Sequence, residues 1–371
     1  MKLTIERASF LKSLGHVQSV VERRNTIPIL SNLKLDAIDG KVALNATDMD
    51  LDIVESVACN ITEPGTTTAP AHTLYDIVRK LPEGAQVALD VDTEGKMILS
   101  SGRSRFTLSC LPEEEFPVLS GGDLAHEFSI TVSEAKALID KTRFAISTEE
   151  TRYYLNGIFF HIAESGDVKV LRSVATDGHR LASMEVPMPK GAEGMPSVII
   201  PRKAVAELRK LVDESNADIT IGISDSKIRF SFDDTILTSK LIDGTFPDYQ
   251  RVIPEGNEKQ LDVPTKVFSD AVDRVSAISS EKSRAVKLNL SSGSLILSAS
   301  SPEDGNATEE LEVSYQGEAM EIGFNSGYLL DIVRQIESDN SRLMLADAAS
   351  PTIISEENEA GALYVLMPMR V

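Results

Sequence analysis

Residues 3–17 read LTIERASFLKSLGHV. The opening Leu-Thr-Ile alternates apolar and polar as a half-buried strand does. From Phe10 the apolar residues Phe10, Leu14 and Val17 fall three and four apart, on one face of a helix. So a short strand runs straight into an amphipathic helix. The same plan returns as FSITVSEAKALIDKT from Phe128 and LDVPTKVFSDAVDRV from Leu261, at spacings of 125 and 133 residues. Identity between the three is weak, but the pattern is shared, and self-similarity at a fixed period organises a chain before any motif does.

Each third then repeats the plan internally. TTTAPAHTLYDIVRKL from Thr66, SVIIPRKAVAELRKLV from Ser197 and MEIGFNSGYLLDIVRQI from Met320 are again strand, then helix. Between them lie alternating runs bounded by turn signals such as Asp39-Gly40, Ser165-Gly166 and Ser292-Gly293. Tight turns between strands imply antiparallel pairing, and about four strands per helix exclude a Rossmann-like βαβ arrangement. The expected fold is α+β: three similar domains, each with two helices packed on antiparallel sheets. Polar, Gly-rich segments at 121–126 and 253–259 suggest domains at 1–122, 126–253 and 257–371. By the same repeat, the closing ALYVLMPM takes the place of RFTLSCLP at 105–112 and ILTSKLI at 236–242, so its first half should complete a sheet.

The chain has 371 residues and a formal charge of −20, from 57 acidic and 37 basic side chains. No apolar run approaches the roughly 18–20 residues of a membrane span, and the start lacks a secretory apolar core. The sequence reads as soluble and untargeted. Cys59 and Cys110 sit alone in separate strand-like runs and read as buried free thiols. Charge is unevenly distributed. The predicted helices, at 6–18, 72–80, 133–143, 202–212, 265–276 and 326–336, together carry +6, leaving −26 to the rest. That fits either an ordinary solvated helix surface or a helix-lined face turned toward a polyanion, held by phosphate contacts that read no sequence. Tyr153-Tyr154, read as strand, would point one ring to each side, to stack on a base or to pack.

Catalytic and metal motifs are weak. Asp48, Asp50 and Asp52 would share one face of a strand, which fits a solvated edge better than a cation site. SVATDGHRLAS (173–183) holds Asp177, His179 and Arg180, but Asp-Gly after a strand marks a turn. An enzyme acting through this strip on a phosphorylated substrate is the alternative to a binding protein. GxxxxGK[ST], GxGxxG and HExxH are absent, so no cofactor, metal or catalytic residue is expected.

Seven stretches resemble one family. NTIPILSNL (25–33), SGRSRFTLS (101–109), RYYLNGIFF (152–160), VATDGHRLA (174–182), IIPRKAV (199–205), TSKLIDGTFPDYQRVIP (238–254) and YVLMPMRV (364–371) lie in order along the whole chain. Together they identify it as similar to the bacterial DNA polymerase III beta subunit, the sliding clamp. The resemblance implies a DNA clamp fold closed into a ring as a head-to-tail homodimer, in which domain 1 of one subunit meets domain 3 of the other. It implies a non-catalytic, cytoplasmic processivity factor that encircles double-stranded DNA. Its partners would be the catalytic subunit of the replicative polymerase, an ATP-dependent clamp loader, and other polymerases and repair or replication-control proteins sharing one groove. Carried onto this sequence, the partner groove comprises Leu155, Thr176, Gly178, His179, Arg180, Leu181, Pro247, Arg251, Val252, Met367, Pro368, Met369, Arg370 and Val371. The DNA contacts become Arg24, Tyr153, Tyr154, Arg202 and Lys203, with Glu149 and Glu150 opposing phosphate beside the tyrosines.

Overall fold

The computed structural model describes residues 1–92, 95–119, 123–279, 284–356 and 361–370. Six α-helices are present among the described residues: α1 (Arg7–Gln18), α2 (Ala71–Lys80), α3 (Val132–Asp140), α4 (Arg202–Asp213), α5 (Thr265–Ser276) and α6 (Ser326–Val333). Five begin on the residue directly after a strand, and only Thr131 separates α3 from its strand. The last strand residue serves as cap. Glu6 accepts the Ser9 N–H at 2.7 Å, and Asn325 accepts that of Tyr328 at 3.2 Å. Before α2 and α5 the cap is proline, with extended ψ; its fixed φ suits both the strand end and the helix start. Thr131 and Glu134 form a reciprocal capping box on α3. Each helix then buries one face, as with Phe10, Leu14 and Val17 on α1 and Phe268, Ala271, Val272 and Val275 on α5.

Two helices are shorter than their periodicity suggests. α3 stops at Asp140 because the Thr142 hydroxyl turns back onto Leu138 O at 2.7 Å and the chain tightens into a 3₁₀ turn, Arg143–Ala145. α6 stops at Val333, where Gln335 and Ile336 bond three residues back rather than four. Within the observed bounds the six helices carry +3 rather than +6, so the basic helix surface is thinner than the sequence suggested.

Every strand pairing among the described residues is antiparallel, and the chain forms two compact units. The first comprises Met1–Ala135, Pro189–Pro196 and Lys203–Leu241; the second comprises Lys136–Met188, Ser197–Arg202 and Ile242–Val371. Each holds one outer third and part of the middle third. In the first unit an eight-stranded sheet joins the two thirds where Leu51–Ala58 pairs with Thr235–Lys240, in the register Leu51↔Ser239. A five-stranded sheet, ending at the Ser104–Ser109 edge, completes that unit. In the second, a nine-stranded sheet joins the thirds where Arg180–Pro187 pairs with Ala362–Leu366. So the closing strand does complete a sheet. A four-stranded sheet follows, with Gly305–Glu312 at one edge.

The Asp48, Asp50, Asp52 reading needs correcting. The strand starts only at Leu51. Asp48 sits in the preceding turn, accepting the backbone N–H groups of Asp50 and Leu51 at 2.9 and 2.7 Å, while Asp50 reaches out to Lys240 at 2.9 Å. Asp52 is buried opposite Thr238. The three carboxylates diverge, and no cluster of His, Cys, Asp or Glu among the described residues could hold a metal. Cys59 and Cys110 are free, and half-buried rather than buried.

Asp52 makes the first unit sensitive to pH. Burial raises its pKa from 3.8 to about 6, against the opposing effects of Asn45 and Arg229. Nearby, burial alone would lower the pKa of His16, but the hydrogen bonds and charges of Glu55 and Glu214 outweigh it and raise it. Both groups bind protons more tightly when folded. Each therefore contributes most below its unfolded pKa, and that contribution is lost as pH rises through the folded value. Asp52→Asn is expected to stabilise the first unit at pH 7.5 by up to about 3 kcal/mol and to flatten the fall in stability between pH 4 and 7. Chemical denaturation across that range checks it; an unchanged pH profile would refute the assignment to Asp52.

Candidate functional site: an apolar cleft in the second unit

Four separate segments of the second unit wall a cleft of about 190 Å³. Leu155 comes from the end of a 3₁₀ turn, Glu150–Leu155, and Thr176, Gly178, Arg180 and Leu181 from a hairpin loop. Pro247, Asp248, Tyr249 and Val252 come from the segment around a second 3₁₀ turn, and Val365 and Met367 from the closing strand and the residues after it. Beneath lies a packed cluster of Leu155, Val174, Leu181, Ile199, Phe246, Tyr249 and Val365. Val252 and Met367 remain 46% and 42% exposed at the mouth, large apolar side chains left open to water.

The hairpin loop is fixed by its own side chains. Asp177 Oδ1 accepts the N–H groups of His179 and Arg180 at 2.9 and 3.0 Å, and the Thr176 hydroxyl donates to Arg180 O at 2.7 Å. Gly178 takes φ +88°, a conformation open to glycine. Arg180 is the hub. Its Nε donates to Asp177 at 3.0 Å, Nη2 donates to Phe144 O at 2.8 Å, and Nη1 pairs with Asp331 of α6. Its guanidinium lies 4.5 Å from the centre of the Tyr328 ring. Asp248 pairs outward with Arg251 at 2.8 Å. The charges around the cleft are thus satisfied by one another, and the surface left to a ligand is apolar. The volume lies below the ~300–1,000 Å³ of small-molecule pockets, a size for a few side chains.

The cleft gathers eight of the groove residues carried over by resemblance. Others stand apart from it. His179 is exposed and stacks on Tyr328 at 5.8 Å. Arg251 points to solvent, and Pro368 and Met369 follow the tail, where the Met369 N–H donates to Gly323 O at 2.9 Å. Arg370 lines a separate polar depression on the four-stranded sheet, and Val371 lies outside the described residues. Asp248, Tyr249 and Val365, which the resemblance did not supply, also line the cleft.

Tyr153 and Tyr154 lie in the Glu150–Leu155 3₁₀ turn, not in a strand, which starts only at Gly157. Their rings meet edge to face at 5.7 Å, and a Cβ on Gly244 would approach Tyr154 Cβ to 3.0 Å. Tyr153 is 54% exposed. Arg24 and Arg202 are exposed. Lys203 differs: its ammonium donates to Glu22 at 2.5 Å, Asp48 at 2.6 Å and Val20 O at 3.3 Å. Burial would lower its pKa, but Asp48 and Glu22 raise it. Its charge is balanced by two carboxylates, which ties these segments of the first unit together.

Known proteins share this architecture. Family models described as the N-terminal, central and C-terminal domains of the DNA polymerase III beta subunit match residues 1–120, 129–248 and 250–370. The chain is 52% identical to a beta sliding clamp of Caulobacter vibrioides and 41% identical to that of Escherichia coli K12, covering 100% of each and of itself. A sliding clamp from Bartonella birtlesii solved with griselimycin superposes with TM-score 0.97 at 54% identity, each chain wholly covered. A Caulobacter crescentus clamp with polyethylene glycol in a putative beta-motif tethering region gives 0.98 at 52% identity, covering 100% of this chain and 99% of that one. With three such domains, helices packed on antiparallel sheets and matches along its whole length, the chain belongs to the DNA polymerase III beta subunit family, the beta sliding clamps.

Proposed function

We propose that the apolar cleft is the groove through which this clamp holds its partners. The protein is a non-catalytic processivity factor. As a homodimeric ring it encircles duplex DNA, slides without reading sequence and tethers the polymerase. Retention is then topological, and strong base contacts would only trap the ring. A tethered polymerase rebinds the primer end at an effective concentration on the order of millimolar. The observation that carries the groove assignment is an apolar cleft whose surrounding charges are all paired with one another. Short segments with apolar anchors fit it, and the unbranched Met367 adapts to varied partners. Griselimycin, found with a related clamp, is expected to bind and to compete with a polymerase-derived peptide; binding without competition would put the groove elsewhere.

Ring closure has a physical basis in two open sheet edges. Ser104–Ser109 carries Arg105 beside Arg103, and Gly305–Glu312 carries Glu310 and Glu312, with Glu309 already paired to Arg274. Edges of opposite charge pair readily between copies. An ATP-driven clamp loader would open this seam, and other polymerases and repair factors would share the groove in the cytoplasm. Among the described residues no helix is long and apolar enough to cross a membrane. The test of the ring is retention: after loading, the clamp should stay on closed circular DNA and leave once the circle is cut. Equal retention on both forms would refute it.

For DNA, exposed Arg24, Tyr153 and Arg202 support diffuse contact better than Lys203 does. Arg24→Ala and Arg202→Ala should each reduce the salt slope of DNA binding by about 1. Lys203→Ala should leave the slope unchanged and lower stability. A reduced slope for Lys203→Ala would reverse that division.

A further inference from the structure

The two joints between thirds repeat one another, each within one unit. Their sheets show it first. Glu55 and Met184 are each the fifth residue of an eight-residue strand, Leu51–Ala58 and Arg180–Pro187, and they face Thr235 and Ala362, the first residues of the next third's closing strand. A base then crosses each joint, from the first helix of one third to an acid after the second helix of the next. In the first unit the base is His16, nine residues after α1 starts at Arg7; its Nε2 lies 3.3 Å from Glu214, just beyond α4. In the second unit it is Lys141, nine residues after α3 starts at Val132; its ammonium lies 3.0 Å from Glu337, beyond α6, and donates to Gln335 O at 2.7 Å. His16 is also held inside its own third, where Nδ1 pairs with Glu55 at 2.7 Å.

The last third carries its own half of this device. Nine residues after α5 starts at Thr265 stands Arg274, and Glu309 is again the fifth residue of an eight-residue strand, Gly305–Glu312. Arg274 Nε donates to Glu309 Oε2 at 3.1 Å and Nη2 to Oε1 at 2.5 Å, as Glu55 holds His16. Its Nη1 has no hydrogen bond among the described residues, and the side chain is 58% exposed. Asp270 and Asp273 share its helix but pair with Lys266 at 2.7 Å and Arg334 at 3.6 Å. The acid that matches by position is in the first third. Glu83 stands twelve residues after α2 starts at Ala71, as Glu214 does after Arg202. It is exposed, with no ion pair or hydrogen bond among the described residues. Each joint within the chain links consecutive thirds, and in a head-to-tail dimer the third that follows the last one is the first third of the second copy.

We propose that Arg274 clasps Glu83 of the partner subunit, so that the seam between copies repeats the joints within the chain. Arginine suits this place, because its planar fork holds Glu309 along one edge and leaves Nη1 for a second carboxylate. The clasp rests on the dimeric ring proposed above, and adds to its paired sheet edges a tie from helix to helix.

The test is a double-mutant cycle on dimerisation of the full chain, read as the dissociation constant from sedimentation over a dilution series. Glu83→Gln should raise it about tenfold, because each ring loses two symmetry-related clasps. Arg274→Gln should do the same. The double variant should again show about tenfold, where independent effects would multiply to about 100-fold. Added salt should narrow the gap between wild type and Glu83→Gln. Glu83 is exposed and makes no contact of its own with the first unit that a glutamine would break. Should Arg274→Gln disturb the last third by freeing Glu309, Glu83→Gln decides alone. A dissociation constant unchanged in Glu83→Gln, with wild type dimeric, overturns the clasp and leaves the ring standing. Independent effects in the double variant overturn the pairing likewise. A wild type that stays monomeric at every concentration overturns the ring, and the clasp with it.

Discussion

Replacing residues 367–371 with a Gly-Ser-Gly-Ser-Gly segment should weaken peptide binding by about 100-fold, or about 2.7 kcal/mol, and leave the dimer mass unchanged. Met367 supplies the exposed apolar mouth of the cleft. The tail is tied down at two points, by the Met367 N–H to His179 O at 3.0 Å and the Met369 N–H to Gly323 O at 2.9 Å. Glycine and serine keep those N–H groups but remove the side chains that a partner would touch. Simple truncation is a poorer test. It would leave a carboxylate on Leu366, which is fully buried, and so mix a charge-burial cost with loss of the groove. Titration with a polymerase-derived peptide measures the affinity, and light scattering over a concentration series measures the mass. Unchanged affinity would remove the tail from the groove. Loss of the dimer would make it a structural element instead.

Arg180→Ala should cost about 3 kcal/mol of local stability in the second unit and abolish peptide binding with it. One guanidinium joins three segments: the hairpin through Asp177, the 3₁₀ turn through Phe144 O, and α6 through Asp331 and the face of Tyr328. Alanine leaves Asp177, with a largely buried side chain, still held by two backbone N–H groups but without its cation. Arg180→Lys should recover little, because one ammonium cannot reach three directions as the planar fork does. Unfolding of a multi-domain chain is not two-state, so the better measurement is hydrogen exchange. Amides of Arg180–Pro187 and Ala362–Leu366 should exchange about 100-fold faster, while those of the first unit keep their protection. Exchange that rises equally in both units, or in neither, would refute this role.

Much of the architecture was legible because periodicity is a local property. LTIERASFLKSLGHV and its five counterparts carry the strand, the cap and the apolar helix face within about 16 residues, so the alternation could be read without knowing what each face meets. Helix ends were less legible, since Thr142 ends α3 by a side-chain bond that competes with the helix. The tyrosine pair misled because RYYLNGIFF continues without a break into a true strand, whereas its first residues form a 3₁₀ turn that lies close against Gly244. The triple aspartate misled for a similar reason: Asp48 satisfies backbone N–H groups locally and delays the strand to Leu51.

The sequence by itself determined the repeat, the antiparallel sheets, the strand-to-helix junctions, the Asp177-Gly178 turn and, through seven ordered stretches, the family. Only the tertiary structure decided how the thirds are joined, by Leu51–Ala58 on Thr235–Lys240 and by Arg180–Pro187 on Ala362–Leu366. It also decided that Lys203 is balanced by Glu22 and Asp48, and that His16 and Lys141 each reach an acid of the next third. The reason is distance along the chain. Alternation and helical spacing follow from neighbours in sequence. Ion pairs and cavities depend on which remote segments meet, and burial of whole sheet faces decides that, with no trace in any one stretch.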